Sequence, residues 1–318
     1  TVPLYLTESD VNRLLTVPKA IDLLDEAFKA QAAGEAVNTP RSRIPLNRGS
    51  YNLMSSAWHE KGVVGQKSYT AASGGVGFHV LVYSTRGEGL LAIIEANRMG
   101  QIRTGSASGL ASKYMARPES SVVGVIGSGY QARTQLEAVA SALPITSARV
   151  YSRSVDNRQG FANAATTDLE LSVAPSDSVE AAVDGADVVI VVTNATEPVL
   201  LGDHVAKGMH INAAGANSWL KRELDTRAVT AANLITTDDV DQAKIECADL
   251  MRAVESGHLM WSQVRPLSDV VGGVIPGREF KDDVTLFESQ GVALEDIAVG
   301  EWVYQQAVEQ GIGTQVGS

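Results

Sequence analysis

The sequence predicts an α/β protein built around a doubly wound parallel sheet, preceded by an α+β segment. Three observations carry this reading. From Ser121 to about Thr236, short apolar runs alternate with helix-like stretches, the rhythm of parallel strands joined by crossover helices. From Arg41 to about Ala96 the texture is short alternating runs divided by turn residues, which reads as a mostly antiparallel sheet. Apolar residues at close to helical spacing open and close the chain, in residues 11–28 and 293–310.

Each element follows from its residues. Thr7 or Ser9 caps a first helix whose apolar positions run from Val11 to Phe28, and Pro18 divides it in two because proline suits a first turn and not a helix interior. Residues 41–46, 63–69, 78–83 and 90–95 are the strands, with Thr85–Gly89 as a turn. A helix of small residues from about Gly105 to Met115 leads to Pro118, a plausible boundary. Beyond it, strands are expected at 121–126, 147–151, 187–192, 210–213 and 233–236, with helices at 132–142 and 179–183 among them. The last helix, 293–310, is clear in itself; spacing alone does not say what it packs against.

Composition narrows the function. With 318 residues, 44% hydrophobic and 20% charged, the chain has material for two packed domains. A net charge of −11 offers no counterion-release energy on nucleic acid and is repelled by anionic membranes. Anionic substrates must therefore be held by a few local cations. The lone Cys247 excludes an internal disulfide and a cysteine zinc cluster, and its helical setting reads as core. The five histidines lack metal-ligand spacing, so no metal is expected. The N-terminal residues have no basic or long apolar stretch, and no segment reaches the roughly 20 apolar residues of a membrane span; a cytoplasmic location is expected.

The strongest motif is Val122-Val123-Gly124-Val125-Ile126-Gly127-Ser128-Gly129-Tyr130-Gln131-Ala132. An apolar strand enters G-x-G-x-x-A and a helix follows, the dinucleotide-binding turn of a Rossmann domain. Gly127 permits the tight turn, Gly129 lets backbone approach a pyrophosphate, and Ala132 lets the helix sit close to the strand. Ser128, Tyr130 and Gln131 complete the turn. The second strand ends in Ser152-Arg153-Ser154, where an NAD site usually carries an acid on the ribose. Ser152 takes that position and Arg153 is suited to a 2′-phosphate, which leans towards NADP(H). Further strand ends, at Thr193-Asn194 and Ala214-Gly215-Ala216-Asn217, fall where this fold binds ligands.

Across nearly its whole length the chain resembles the ornithine cyclodeaminase/μ-crystallin family. The landmarks are Pro40-Arg41-Ser42-Arg43, Gly65-Gln66-Lys67, Ile102-Arg103-Thr104-Gly105-Ser106-Ala107, the glycine turn, Thr193–Pro198, His210–Asn217 and Thr285–Asp296, in that order. The resemblance implies a homodimer. It also implies that the Rossmann domain (118–292) is inserted into an α+β substrate-binding and dimerisation domain (1–117 plus 293–318). It implies nicotinamide hydride transfer at the α-carbon of a small amino or imino acid. Cyclodeaminases carry a catalytic Asp just after the strand-end glycine; here the residues are Gly215-Ala216-Asn217-Ser218. Ornithine cyclisation is therefore disfavoured unless another carboxylate such as Asp225 serves. The stretch from Gly215 to Asp225 is similar to that of iminosuccinate reductases, which form aspartate from its imine and favour NAD(H). Cyclic ketimine reduction, an alanine-type dehydrogenase and a non-catalytic nucleotide-binding member are the alternatives.

By resemblance, Arg41 and Arg103 hold the substrate carboxylate, a role the planar guanidinium suits. Arg43 lies two residues from Arg41 on the same strand face and would take a second carboxylate. Lys67, desolvated beside arginines, would have a lowered pKa and serve as proton donor. The resemblance adds Gln290 to the substrate contacts, and Thr104, Ser289 and Gly291 to those of the cofactor. His79 reads as packed or at the cofactor edge, and His59 as a loop residue.

Overall fold

The computed structural model describes residues 2–71 and 77–317. They form two compact units, one of Thr1–Arg103 with Val292–Ser318 and one of Thr104–Gly291.

In the first unit, β1 (Leu4–Leu6) leads to α1 (Glu8–Leu14) and α2 (Val17–Ala32). The Thr7 side chain caps α1, and Thr16 caps α2 just before Pro18, so proline does divide the helical pattern. Strands β2 (Ala36–Leu46), β3 (Gly49–Trp58), β4 (Val63–Ala71), β5 (Phe78–Ser84) and β6 (Gly89–Glu95) follow as an antiparallel meander. Strand β1 joins β6 in parallel, and the terminal strand Thr314–Gln315 pairs with β1. Strand β3 is absent from the sequence reading. Its inward positions include Asn52 and Ser56 beside Met54 and Trp58, so buried polar residues hide the alternation.

The C-terminal helix (Ala293–Gln310) lies on this sheet. A Cβ on Gly65 would meet Ile297 Cδ1 and the Leu81 carbonyl oxygen, each at 2.4 Å. Strand and helix therefore approach as closely as they do because residue 65 has no side chain.

Helix α3 spans Asn97–Met115 and begins eight residues before the expected start. Its first N–H groups, of Asn97 and Arg98, donate to the Glu8 carboxylate at 2.7 and 2.8 Å. The cap comes from 89 residues away, which is why no local capping signal marked it. Arg103, two residues before the expected start, consequently sits inside the helix.

The second unit is a sheet of eight parallel strands among the described residues. These are β7 (Val122–Ile126), β8 (Ser147–Tyr151), β9 (Ser172–Pro175), β10 (Val188–Val191), β11 (His210–Ala213), β12 (Leu234–Thr237), β13 (Val264–Pro266) and β14 (Thr285–Glu288). Their order is β13-β12-β14-β11-β10-β7-β8-β9. Helices α4 (Ala132–Ala142) and α5 (Val155–Leu169) are among the connections. The order reverses between β7 and β10, the switch point outside which ligands bind in such sheets. Val123, Val125, Val188, Ile190, Leu136 and Val139 pack one core layer, and Val189, Val191, Ile211, Leu224 and Leu286 the other. Strand β14 was also unrecognised as a strand. It is four residues long and buried throughout, and so short a run has no readable period. No described helix is long and apolar enough to cross a membrane.

Candidate active site

Two constellations stand out, one in each unit. In the first, the inward positions of β4 are Val63, Gly65 and Lys67. Lys67 is 3% exposed and registers against Met54 of β3 and Val80 of β5. Its ammonium donates to Asp296 Oδ1 at 2.9 Å. Arg103 donates to the same oxygen from Nε at 3.1 Å and from a terminal nitrogen to Glu295 Oε2 at 2.6 Å. Glu295 and Asp296 lie in the first turn of the C-terminal helix and are fully buried, where their charge also suits the helix dipole. Gly100 leaves room for the ammonium, since a Cβ there would lie 3.1 Å from Lys67 Nζ.

Arg41 is also buried, with its Nε 3.4 Å from Met54 Sδ. The β2–β3 register shifts between Thr39 and Ser42. Burial along β2 changes phase there: Ala36, Asn38 and Pro40 are the covered positions before the shift, Arg41 and Arg43 after it. One irregular residue thus turns both arginines to the covered side. Burial, then Arg103, then Arg41 push the Lys67 ammonium down to about 8, with Asp296 opposing them. Lys67 and Arg103 share the two carboxylates, and the Arg41 charge acts on Lys67. Asp296 Oδ2 is buried and has no hydrogen-bond partner among the described residues.

The second constellation is a cleft of about 610 Å³ at the carboxyl ends of β7, β8 and β10, a size typical of small-molecule and cofactor sites. Gly127, Ser128, Gly129, Ser152, Arg153, Ser154, Thr193 and Asn194 all line it. Gly127 has φ +113°, and a Cβ on it would stand 2.3 Å from the Val192 carbonyl oxygen, so only glycine makes this turn. At Gly129 an added Cβ would meet nothing within 4 Å, which leaves open the approach a pyrophosphate needs. These features fit a dinucleotide.

The other proposed cofactor residues lie off the lining. The Thr104 carbonyl accepts from Gln135. Tyr130 is exposed, and Gln131 stands where α4 begins. Ala214 bonds back to β10, while Gly215, Ala216 and Asn217 form the loop after β11. After β14, the Gln290 and Gly291 N–H groups donate to Asp238 Oδ2 at 2.8 and 2.6 Å, and Ser289 is buried beside them.

Four functional candidates escaped the sequence reading. Asp296 and Glu295 sit within a quoted motif, but nothing local tells that they face Lys67 and Arg103. Glu223 is buried. It accepts from the Thr193 N–H at 2.5 Å, the Thr193 hydroxyl at 2.7 Å and the Gly215 N–H at 2.7 Å, tying the loops after β10 and β11. Lys221 spans the same loops from Asn194 Oδ1 at 3.1 Å to Asn217 Oδ1 at 3.4 Å. Burial raises the Glu223 carboxyl, and burial with the Glu223 charge raises neighbouring Asp249 to about 7.

Several other residues take ordinary roles. Asp225 caps a short helix, accepting from Ala228 at 2.7 Å and Gly202 at 2.9 Å. His79 and His59 are exposed, so of the two readings of His79, packed or at the cofactor edge, packing does not hold. Cys247 is fully buried, and its thiol is pushed up by burial and then by Glu288. No metal-binding group of His, Cys, Asp and Glu occurs among the described residues.

Comparison with known proteins places the chain in a family. The profile of the ornithine cyclodeaminase/mu-crystallin family matches residues 1–311. The Δ1-pyrroline-2-carboxylate reductase of Thermococcus litoralis, solved with NADH and L-proline, superposes with a TM-score of 0.94 at 32% identity, over 98% of this chain and 100% of that one. An archaeal alanine dehydrogenase dimer with bound NAD gives 0.94 at 30% identity, over 100% and 99%. The iminosuccinate reductase of Paracoccus denitrificans with NAD+ gives 0.93 at 25% identity, over 100% of both. All three hold NAD or NADH.

Proposed function

The chain belongs to the ornithine cyclodeaminase/mu-crystallin family, and we propose that it is a nicotinamide-dependent imine reductase forming a small L-amino acid. Its finer assignment is reduction of iminosuccinate to L-aspartate. The carrying observation is the buried Lys67–Asp296–Arg103 cluster with Arg41 and Arg43 on the covered side of β2.

The substrate α-carboxylate binds the guanidiniums of Arg41 and Arg103. Arg103 is held by Glu295 and Asp296, so little side-chain freedom is lost when it engages. Arg43 takes the second carboxylate of a dicarboxylic imine. Lys67, held down to about 8, is mostly protonated at neutral pH yet releases its proton readily, which suits a general acid at the imine nitrogen. Asp296 orients that ammonium and favours its charged form. A bound nicotinamide supplies the hydride for the α-carbon; the residues lining the β7–β8–β10 cleft would hold it. A homodimer belongs to the same proposal, and equilibrium sedimentation at a single mass of two chains is the expected result.

A second reading, reduction of a cyclic ketimine, draws on Phe78. Its ring centroid is 4.9 Å from Lys67 Nζ, an apolar wall that suits a carbon ring. Initial rates of NADH and NADPH oxidation separate the two. Iminosuccinate, formed in place from oxaloacetate and ammonia, is compared with Δ1-pyrroline-2-carboxylate and with pyruvate plus ammonia. Fast turnover of iminosuccinate alone is expected. Preference for the ketimine or pyruvate moves the substrate and keeps the reaction class. Cofactor binding without turnover of any of them overturns the enzymatic reading.

A further inference from the structure

A second cavity, of about 510 Å³, opens at the amino ends of β12 and β13. Its size suits a small molecule. It lies at the opposite end of the sheet from the glycine-turn cleft. Dinucleotides bind beyond the carboxyl ends of such strands, so the cofactor gives this cavity no task.

The loop that walls it on one side is tied down at several points. The Asp283 carboxylate accepts from the N–H groups of Glu279 at 3.2 Å and Phe280 at 2.8 Å. A Cβ on Gly277 would stand 2.1 Å from the Tyr114 carbonyl oxygen, so the loop sits directly against the end of α3. Every nitrogen of Arg278 is engaged. Nε donates to the Met115 carbonyl oxygen at 2.9 Å, Nη2 to the Thr285 hydroxyl at 3.1 Å and the Met209 carbonyl oxygen at 3.4 Å, and Nη1 to the carbonyl oxygens of Lys281 and Asp283.

Residues at the strand ends leave donors over. Asn233 Oδ1 accepts from the Val284 N–H at 2.9 Å, and Gln263 Oε1 from the Met260 N–H at 2.8 Å. The NH2 group of each amide has no partner among the described residues, and neither has the Ser262 hydroxyl. Arg265 gives Nε and Nη2 to Asp269 Oδ2 at 3.2 and 2.6 Å, and Nη1 is left over in the same way. On the loop, the Glu279 carboxylate makes no ion pair or hydrogen bond among the described residues.

Charge selects the ligand. Arg265 and Arg278 line the cavity together with Glu279 and Asp283, so the lining is formally neutral and carries both signs. A simple anion would sit near two carboxylates, and a simple cation near two guanidiniums, so each would lose part of what it gains. A zwitterion meets both signs with opposite charge. Phe280, 68% exposed, lines the cavity with Ile275 and Pro276 and offers an apolar surface beside these charges.

We infer that this cavity binds a free α-amino acid with an apolar side chain. The ligand carboxylate takes Arg265 Nη1 and the amide and hydroxyl donors beside it. Its ammonium takes the Glu279 carboxylate, and its side chain the Phe280 ring. The site is independent of the proposed imine reduction and of the cofactor that serves it.

Isothermal titration calorimetry of the full chain with L-leucine, without cofactor, tests this assignment. 4-Methylpentanoate supplies the carboxylate without the ammonium, and 3-methylbutylamine the ammonium without the carboxylate. Saturable binding of L-leucine is expected, about tenfold or more tighter than either. Arg265→Ala and Glu279→Gln should each weaken L-leucine about tenfold. Glu279 is exposed and the Arg265 side chain is 40% exposed, so circular dichroism should show both variants folded. Lys67→Met should leave the Kd for L-leucine unaltered. Absence of saturable heat with L-leucine overturns the assignment. So does 4-methylpentanoate or 3-methylbutylamine binding as tightly as the amino acid, or a Kd untouched by both cavity variants. Loss of binding in Lys67→Met alone would put the ligand at the buried cluster and overturn it equally.

Discussion

The glycine-turn cleft and the Lys67 cluster are built in opposite ways. The cleft follows short stretches of chain: the turn at Gly127 and the strand ends at Ser152 and Thr193. Its parts are short contiguous stretches with recognisable spacing. The cluster is made of side chains from positions 41, 67, 103, 295 and 296, on β2, β4, α3 and the C-terminal helix. None of its contacts is local. A dinucleotide-type turn is thus legible along the chain, whereas the buried charge cluster is assembled only when distant elements pack.

If the two regions have separate tasks, substitutions should separate turnover from cofactor affinity. The largest effect is expected for Lys67→Met. Loss of a general acid should lower kcat/KM by about 10²–10⁴-fold, while the Kd of the nicotinamide cofactor stays within about twofold, a change of only a few tenths of a kcal/mol. An equal loss in both quantities would break the division. Next comes Gly127→Ala in the cleft. A Cβ at 2.3 Å from the Val192 carbonyl oxygen, on a backbone with φ +113°, should cost about 1–3 kcal/mol and appear as a lowered Tm with weaker cofactor binding. Unchanged values of both would show that the turn relaxes freely.

A smaller effect concerns pH. Lys67 must be protonated to donate, and its pKa lies at about 8. Activity should therefore be flat below that value and fall as pH rises through it. Asp296→Asn removes the anion that favours the protonated form, so the falling limb should move to lower pH by about one unit or more. A limb that stays in place would assign the titration to another group. The smallest effect is expected for Glu223→Gln. The amide retains one acceptor where the carboxylate had two, and the loss of one buried hydrogen bond is worth about 1–3 kcal/mol. The cofactor KM should rise several-fold, with kcat changed less. A fall in kcat alone would place Glu223 with the chemistry and not with the loops it ties.

Much of the fold was legible because its signals are local. Helix 132–142, strand 147–151, strand 210–213 and the helix from Ala293 to Gln310 have the bounds their spacing predicts. The misses share a cause. Helix α3 starts early because Glu8 caps it from the far end of the unit. Strand β3 buries Asn52 and Ser56 where apolar residues were sought. Strand β14 is too short to show a period, although it sits between β11 and β12.

The same contrast holds at the candidate site. Sequence alone determined the α/β class, the glycine turn, the missing ribose acid at Ser152 and the set of cationic residues available to an anionic substrate. Each depends on residues within a few positions of one another, where φ, hydrogen-bonding type and charge are intrinsic to the residue. Tertiary structure decided which cations are buried together. Lys67 owes its lowered pKa to burial and to Arg103, and its orientation to Asp296, 229 residues away. Desolvation and Coulomb energy depend on distance in space, and only the packed chain, with Gly65 letting the last helix onto the sheet, sets those distances.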